Sequence, residues 1–295
     1  MLVTLGQLFI SGVMTGAVYA LMAMGLTLIF GVLKVVNFAH GEFLMVAMYG
    51  AWALNAMLGL SPYVAIVVIV PASFAFGLLV HQTVVRPAID KPHLVVVFAT
   101  MGLSITLQNL ALFFMTADLR DVPPLFRHVS ISVGPFLMGV ELVLGFAISL
   151  AVTGAMFLLI GRTYFGKAVR ATAQEREAAM LMGINVPRMF ALTFSLGSAL
   201  VGLAGCALIP LHSTFPTVGL NFVLIAFVVV VLGGMGSMEG ALLGGVCIGL
   251  VQAFSGYFVA PAFGQMFYFL VFILILIVRP AGLLGQRGAA MVGVT

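Results

Sequence analysis

Charge is scarce in this chain. Of 295 residues only 12 are Lys or Arg and 8 are Asp or Glu, which is 7% where a soluble domain carries about a quarter. With 63% hydrophobic residues and a mean hydropathy of +1.27, the chain has too little polar surface for a water-soluble fold and is expected in a membrane. Cysteine is nearly absent: Cys206 and Cys247 both lie in apolar stretches and read as small buried hydrophobes, which excludes a disulfide framework. Residues 1–33 hold no charge, so the basic n-region of a cleaved signal peptide is missing and the first apolar segment is expected to stay in the mature protein. No GxxxxGK[ST] phosphate loop occurs, so ATP cannot be bound and split by that route and no cofactor is expected on this chain. His81, His93, His128 and His212 are scattered without metal-ligand spacing, and no Ser, Cys or Asp constellation suggests hydrolysis. Catalytic residues, a metal site and a nucleic-acid partner are therefore all unexpected.

Long apolar runs are what the chain has in abundance. Residues 189–238 and 240–278 contain no Asp, Glu, Lys or Arg, and each run exceeds the ~20 residues of one bilayer crossing, so each must fold back on itself. Phe267–Val278 is apolar on every face, unlike the alternating strand of a β-barrel. The expected fold is all-α, a polytopic transmembrane helical bundle. Breaks at Pro, Gly and charge suggest crossings near 6–32, 39–58, 62–85, 93–115, 137–160, 188–211, 219–235, 239–258 and 262–279: nine, or eight if two glycine-broken pieces form one element. With the N-terminus outside, nine crossings place Lys34, Arg86, Lys91, Arg162, Lys167, Arg170, Arg176, Arg188, Arg279 and Arg287 inside and leave only Arg120 and Arg127 outside. Cytoplasmic loops are rich in Lys and Arg, so N-out and C-in is the expected orientation. Thr116–Gly134, with Pro123 and Pro124 and no helical period, reads as an irregular surface loop.

Between Arg162 and Arg188 the chain gathers Arg162, Lys167, Arg170, Glu175, Arg176, Glu177 and Arg188. Within this island Gly166–Met182 reads as one helix of good helix formers, stopped by Gly183 and Pro187. Val169, Ala173, Met180 and Leu181 fall near one side of it, and Arg170, Gln174 and Glu177 near another. Such a helix suits either a groove on a soluble partner or the surface of anionic membrane lipid.

Two further interruptions stand out. Lys34, Asn37, His40 and Glu42 follow the first crossing; ionisable groups near membrane depth are costly and usually face an aqueous path or each other. On a helix starting at Asn37 that residue would cap the N-terminus, and Glu42 would gain from the helix dipole. The alternative is a cap and interface anchor joining two helices. The second interruption, Gly233, Gly234, Gly236, Glu239 and Gly240 to Gly245, permits close helix packing and backbone turns. Interrupted apolar segments in two halves of a chain point to a transport site, so Asn37, His40, Glu42, Gly233, Gly234, Gly236 and Glu239 are the candidates for a translocation path or gate.

Glu177-Ala178-Ala179 with Gly183 resembles the EAA-type loop of bacterial ABC importer permeases. Gly166-Lys167-Ala168-Val169-Arg170-Ala171, Leu181-Met182-Gly183-Ile184-Asn185, Val36-Asn37-Phe38-Ala39-His40-Gly41-Glu42, Leu232-Gly233-Gly234-Met235-Gly236-Ser237 and Arg279-Pro280-Ala281-Gly282-Leu283-Leu284-Gly285 are similar, in order, to blocks of the branched-chain amino acid permeases of LivH type. The resemblance runs over essentially the whole chain. It implies a single transmembrane permease domain over 1–295 with a cytoplasmic coupling loop at 161–187, in the bacterial inner membrane. It also implies contact with an ATPase through Gly166, Lys167, Arg170, Glu175, Glu177, Ala178, Ala179 and Gly183. The implied partners are a second permease subunit of LivM type, two ATPase subunits that use the ATP, and a periplasmic solute-binding protein. The implied cargo is a branched-chain or related amino acid. Ile225 stands where many members have Lys, which leaves urea, short amides or other small carboxylates as alternative cargo. An ion-coupled secondary transporter is the reading from another class, and the long charge-free runs argue against it.

Overall fold

The computed structural model describes residues 1–123, 129–260, 263–279 and 281–285; Pro124, Arg127, His128, Pro280 and Arg287 of the sequence reading lie outside them. The chain runs α1 (Leu2–Leu33), α2 (His40–Leu58), α3 (Pro62–Val80), a π-helical turn (His81–Val85), α4 (Arg86–Ala88), α5 (His93–Met115), β1 (Ser130–Val133), β2 (Phe136–Gly139), α6 (Val140–Arg162), α7 (Tyr164–Gln174), α8 (Arg176–Leu181), α9 (Val186–Leu208), α10 (Val218–Gly233), α11 (Met238–Phe258) and α12 (Gly264–Val278). The fold is mostly helical, as apolar runs with few prolines dictate, and punctuation sits where a cap is chemically available. Ser61 accepts a hydrogen bond from the Val64 N–H, with Pro62 in the first helical position of α3. Ser237 does the same for Gly240 at the start of α11.

Among the described residues six helices are long and apolar enough to cross a membrane: α1, α3 with its extension to Ala88, α5, α6, α9 and α11. α10 and α12 are shorter apolar helices, and α2 carries His40 and Glu42. These three lie at sequence positions where crossings were expected, but they fall short of a full apolar span by length or composition. Among the described residues an antiparallel hairpin departs from an all-α chain: β1 and β2 pair with Ser130 opposite Gly139 and Val133 opposite Phe136, turning at Gly134 with φ +60°. The end of the expected irregular loop is therefore regular. A four-residue strand is too short to announce itself by alternation, and the turn is made by a glycine that tolerates left-handed backbone.

α1 is the axis of the bundle. Leu21, Met22, Ala23 and Met24 are wholly buried. Its closest neighbour is α11: a Cβ at Gly16 would stand 2.6 Å from the Gly245 carbonyl oxygen, and Gly249 abuts the Gly12 carbonyl. Two Gly-x-x-x-Gly faces thus bring backbones into contact, the packing that works where lipid removes any hydrophobic drive between helices. α3 and α9 meet in the same manner, through Gly77 on Ser195 and Ser198 and through Gly202 on Ser73.

α2 does not start at the end of α1. Its first residue, His40, places Nε2 3.1 Å from the carbonyl oxygen of Met22, eleven residues before Leu33 and so about 16 Å back along α1. α10 also starts inside the bundle, with Gly219 against the backbone of Gly41 and Phe222 edge-on to Tyr19 at 6.5 Å. From that meeting point α2 runs toward the beginning of α1 and α10 toward its end, where Gly236 reaches Gly31. Two helix N-termini of opposite direction therefore converge in the interior.

Candidate functional site

The segment between α1 and α2 positions the first group of candidates. Asn37, His40 and Glu42 are 1%, 0% and 0% exposed. The helix begins at His40, not Asn37, and Ala39 is its N-cap residue; the Asn37 carbonyl Oδ1 accepts instead from the Ala39 N–H at 3.1 Å, a turn that leads into the helix. Thr100 on α5 accepts from the Phe38 N–H at 3.3 Å, so α5 holds this turn from the side. Glu42, in the first turn of α2, takes a 2.6 Å hydrogen bond from Nε2 of Gln108 on α5, and the same amide group lies 3.1 Å from Ser104 Oγ. The other carboxyl oxygen of Glu42, Nδ2 of Asn37 and Nδ1 of His40 are buried with no hydrogen-bond partner among the described residues. His40 and Glu42 point to different neighbours, as two residues apart on a helix must.

The environment favours negative charge or electron-rich groups. The partial positive ends of α2 and α10 both face this point, and the N-terminal N–H groups of a helix carry about half an elementary charge. About one helical turn from the Glu42–Gln108 pair, the seam between α2 and α5 holds an apolar groove of about 260 Å³, lined by Met45, Tyr49 and Ala53 on one side and Leu107, Ala111 and Met115 on the other. The hydroxyl of Tyr49 is buried there without a partner among the described residues. Arg120, stacked 5.0 Å over the ring of Trp52, stands beyond the end of α5. Sequence reasoning missed Thr100, Ser104 and Gln108. Their four-residue spacing on a single apolar helix was the available signal, since it lays all three on one face.

The glycine-rich candidates lie elsewhere. Gly233 and Gly240 press the backbones of α10 and α11 together, Gly234 (φ +104°) meets Gly285, and Gly236 packs on Gly31. Gly31 is nine residues past Met22, about 13 Å along α1, so this group is not gathered with Asn37, His40 and Glu42. Glu239 is exposed in the first turn of α11. Ile225, at the position where the resemblance led one to expect a basic residue, is 7% exposed and faces the interior of the subunit.

The charged island forms an elbow of two helices rather than one. Thr163 Oγ1 accepts from the Gly166 N–H at 3.1 Å to start α7, Arg170 donates to the Ile160 carbonyl, and Gly166 is buried against that same carbonyl. At Glu175 the backbone is extended (φ −148°, ψ 107°), and α8 leaves at an angle. The break follows from tertiary anchoring: Arg176 pairs with Asp90 at 3.1 Å and stacks 5.3 Å over Phe190, which outweighs the helix propensity of the local sequence. Gly183 (φ +81°) ends α8, with its own N–H bonded to Met180 and the Ile184 N–H bonded to Ala179, a left-handed stop that glycine makes without strain. The expected apolar side is corrected too. Val169 and Ala179 are buried, but Met180 is 47% exposed, Leu181 89% and Met182 82%. Lys167, Arg170, Glu175, Glu177, Ala178 and Gly183 are exposed beside them. Gly161, Gly166 and Lys167 have the opening spacing of a phosphate loop, yet Ala168 follows where Ser or Thr would hold Mg²⁺, and both glycines are helical.

Residues 8–277 match a family model described as the permease component of the branched-chain amino acid transport system. The chain belongs to that family. It is 31% identical to the high-affinity branched-chain amino acid transport system permease protein BraD of Pseudomonas aeruginosa, with 95% of each chain covered. It is 32% identical to LivH of Salmonella typhimurium, described in the same words, with 96% of each covered. A probable LivH of Methanocaldococcus jannaschii is 28% identical over 90% of this permease and 88% of its own length. Likeness to the ribose import permease RbsC of Bacillus subtilis is confined to 104 residues, about a third of either chain. No solved structure matches this permease.

Proposed function

We propose that this chain is the inner-membrane permease subunit of an ATP-binding cassette importer that moves branched-chain or related amino acids. A periplasmic binding protein delivers the cargo, a second permease subunit of LivM type completes the pore, and two ATPase subunits supply the energy. The chain acts as one permease domain with nine crossings, N-terminus outside and C-terminus inside. α2 and α10 are crossings that begin within the bilayer.

The observation that carries this reading is the elbow. Exposed apolar side chains of the size of Leu181 and Met182, next to Glu177 on a braced pair of short helices, form a docking tip rather than a solvated loop. Its braces connect it inward. α7 is bound to the end of α6 through Arg170, and α8 leads through Gly183 into α9, which packs on α1, α2 and α3. Closure of the ATPase dimer would push the tip, tilt α9 and shift the start of α2, where the Glu42–Gln108 pair closes the seam. An amino acid released above then has a route along that seam. Its apolar side chain suits the Met45–Leu107–Ala111 lining, and its ammonium group suits the free carboxyl oxygen of Glu42.

Gly183→Val tests this, because a β-branched residue is strained at φ +81°. In proteoliposomes holding the complete importer, leucine uptake should fall severalfold while ATP hydrolysis and membrane content persist; undiminished uptake would remove the elbow from the mechanism. Buried Glu42 is also the feature that favours an ion-coupled transporter. Uptake that follows a proton or sodium gradient and ignores ATP would select that second reading.

A further inference from the structure

A groove of about 580 Å³ between α3 and α9 has no part in the transport scheme. Its walls are graded. On α3 and its extension the lining runs from Leu78 through His81 to Arg86, eight residues or about 12 Å along the axis; on α9 it runs from Leu192 back to Arg188. The two helices are antiparallel neighbours, so both arginines come to the same end and both leucines lie deeper. Among the described residues neither Arg86 nor Arg188 has an acidic partner, and Asp90 is already engaged by Arg176.

His81 provides a second, independent observation. It lines the groove, is 2% exposed, and rests on the ring of Phe194 at 5.9 Å, yet neither ring nitrogen has a hydrogen-bond partner among the described residues. An imidazole always has at least one N–H to donate, and leaving it buried and unmet is costly unless something outside the chain accepts it. His81 also opens the π-helical turn His81–Val85, an arrangement that is rare and common at functional sites.

We propose that this groove binds an anionic phospholipid: the phosphate between Arg86 and Arg188, the ester region on His81, and the acyl chains past Leu78 and Leu192. Two guanidinium groups at the water end match a phosphate, and basic pockets between membrane helices are where anionic headgroups lodge. The apolar inner wall has no use for a free anion, which is why a lipid is the chosen occupant.

Native mass spectrometry of the full-length permease in detergent, titrated with phosphatidylglycerol or with phosphatidylcholine of the same acyl chains, tests the assignment. Phosphatidylglycerol should bind about tenfold more tightly, the difference expected from one charge-assisted contact set. The double variant Arg86→Gln/Arg188→Gln should abolish that preference, and His81→Phe, which keeps the ring packing on Phe194, should weaken phosphatidylglycerol about threefold. If the double variant does not extract as folded protein, each single arginine variant is read in the same way. Equal affinity for the two lipids, or a preference unchanged in these variants, would overturn the proposal. Displacement of bound lipid by millimolar inorganic phosphate would also overturn it and give the groove to a free anion.

Discussion

Replacing Glu42 by Ala separates a transport role from a scaffolding one, because the structure sets two stability terms against each other. The substitution removes the 2.6 Å hydrogen bond from Gln108, worth about 1.5–3 kcal/mol if the carboxyl is ionised and about 1 kcal/mol if it is not. It also removes a second carboxyl oxygen that is buried with no partner among the described residues, relieving about 1–3 kcal/mol of desolvation. The two nearly cancel, so the melting temperature of the purified permease should move by only a few degrees. Transport has no such compensation. If the free oxygen of Glu42 meets the cargo's ammonium group, one charge-assisted contact to the cargo is lost, and ATP-driven leucine uptake should fall about tenfold or more. The assay is uptake into proteoliposomes containing the complete importer, alongside ATPase rate and thermal unfolding on the same preparation. Glu42→Gln, which keeps the shape and still accepts from Gln108, should fall between the two. A melting temperature lowered in proportion to uptake, or uptake left intact, would show that Glu42 is only a piece of the helix start.

Three other outcomes follow from the packing. Gly41→Ala should destabilise by about 1–3 kcal/mol and lower the yield of folded permease in a thermal assay, since its Cβ meets the backbone of Gly219 and neither helix start can yield. Gly16→Val should do the same at the α1–α11 contact, with Gly102→Ala, which meets nothing, as the neutral control. Arg176→Ala should cost under about 1.5 kcal/mol of stability, because Asp90 is largely exposed, Arg176 is partly so and the ring contact is modest, but should loosen α8 and reduce uptake per ATP hydrolysed.

The helical class, the first and last residues of most helices to within a few positions, and the polar turn at Asn37–Glu42 were legible in the chain because burial in lipid demands long apolar runs and leaves polar residues conspicuous. Gly183 was legible as a stop for the same reason that it is a glycine. The break at Glu175 was not, since it is imposed by Asp90 and Phe190, distant in sequence. Nor was the burial of Asn37, His40 and Glu42 at the level of Met22, because local pattern contains no information on how far the chain doubles back. The composition by itself determined that this protein lives in a membrane as helices. Only the tertiary structure decided that α2 and α10 start inside the bundle, that Gln108 meets Glu42, and that Leu181 and Met182 point outward. Each of those depends on which backbones approach at Gly41 and Gly219 or through Arg176, and close approach between distant segments is a property of the packed chain, not of any stretch of it.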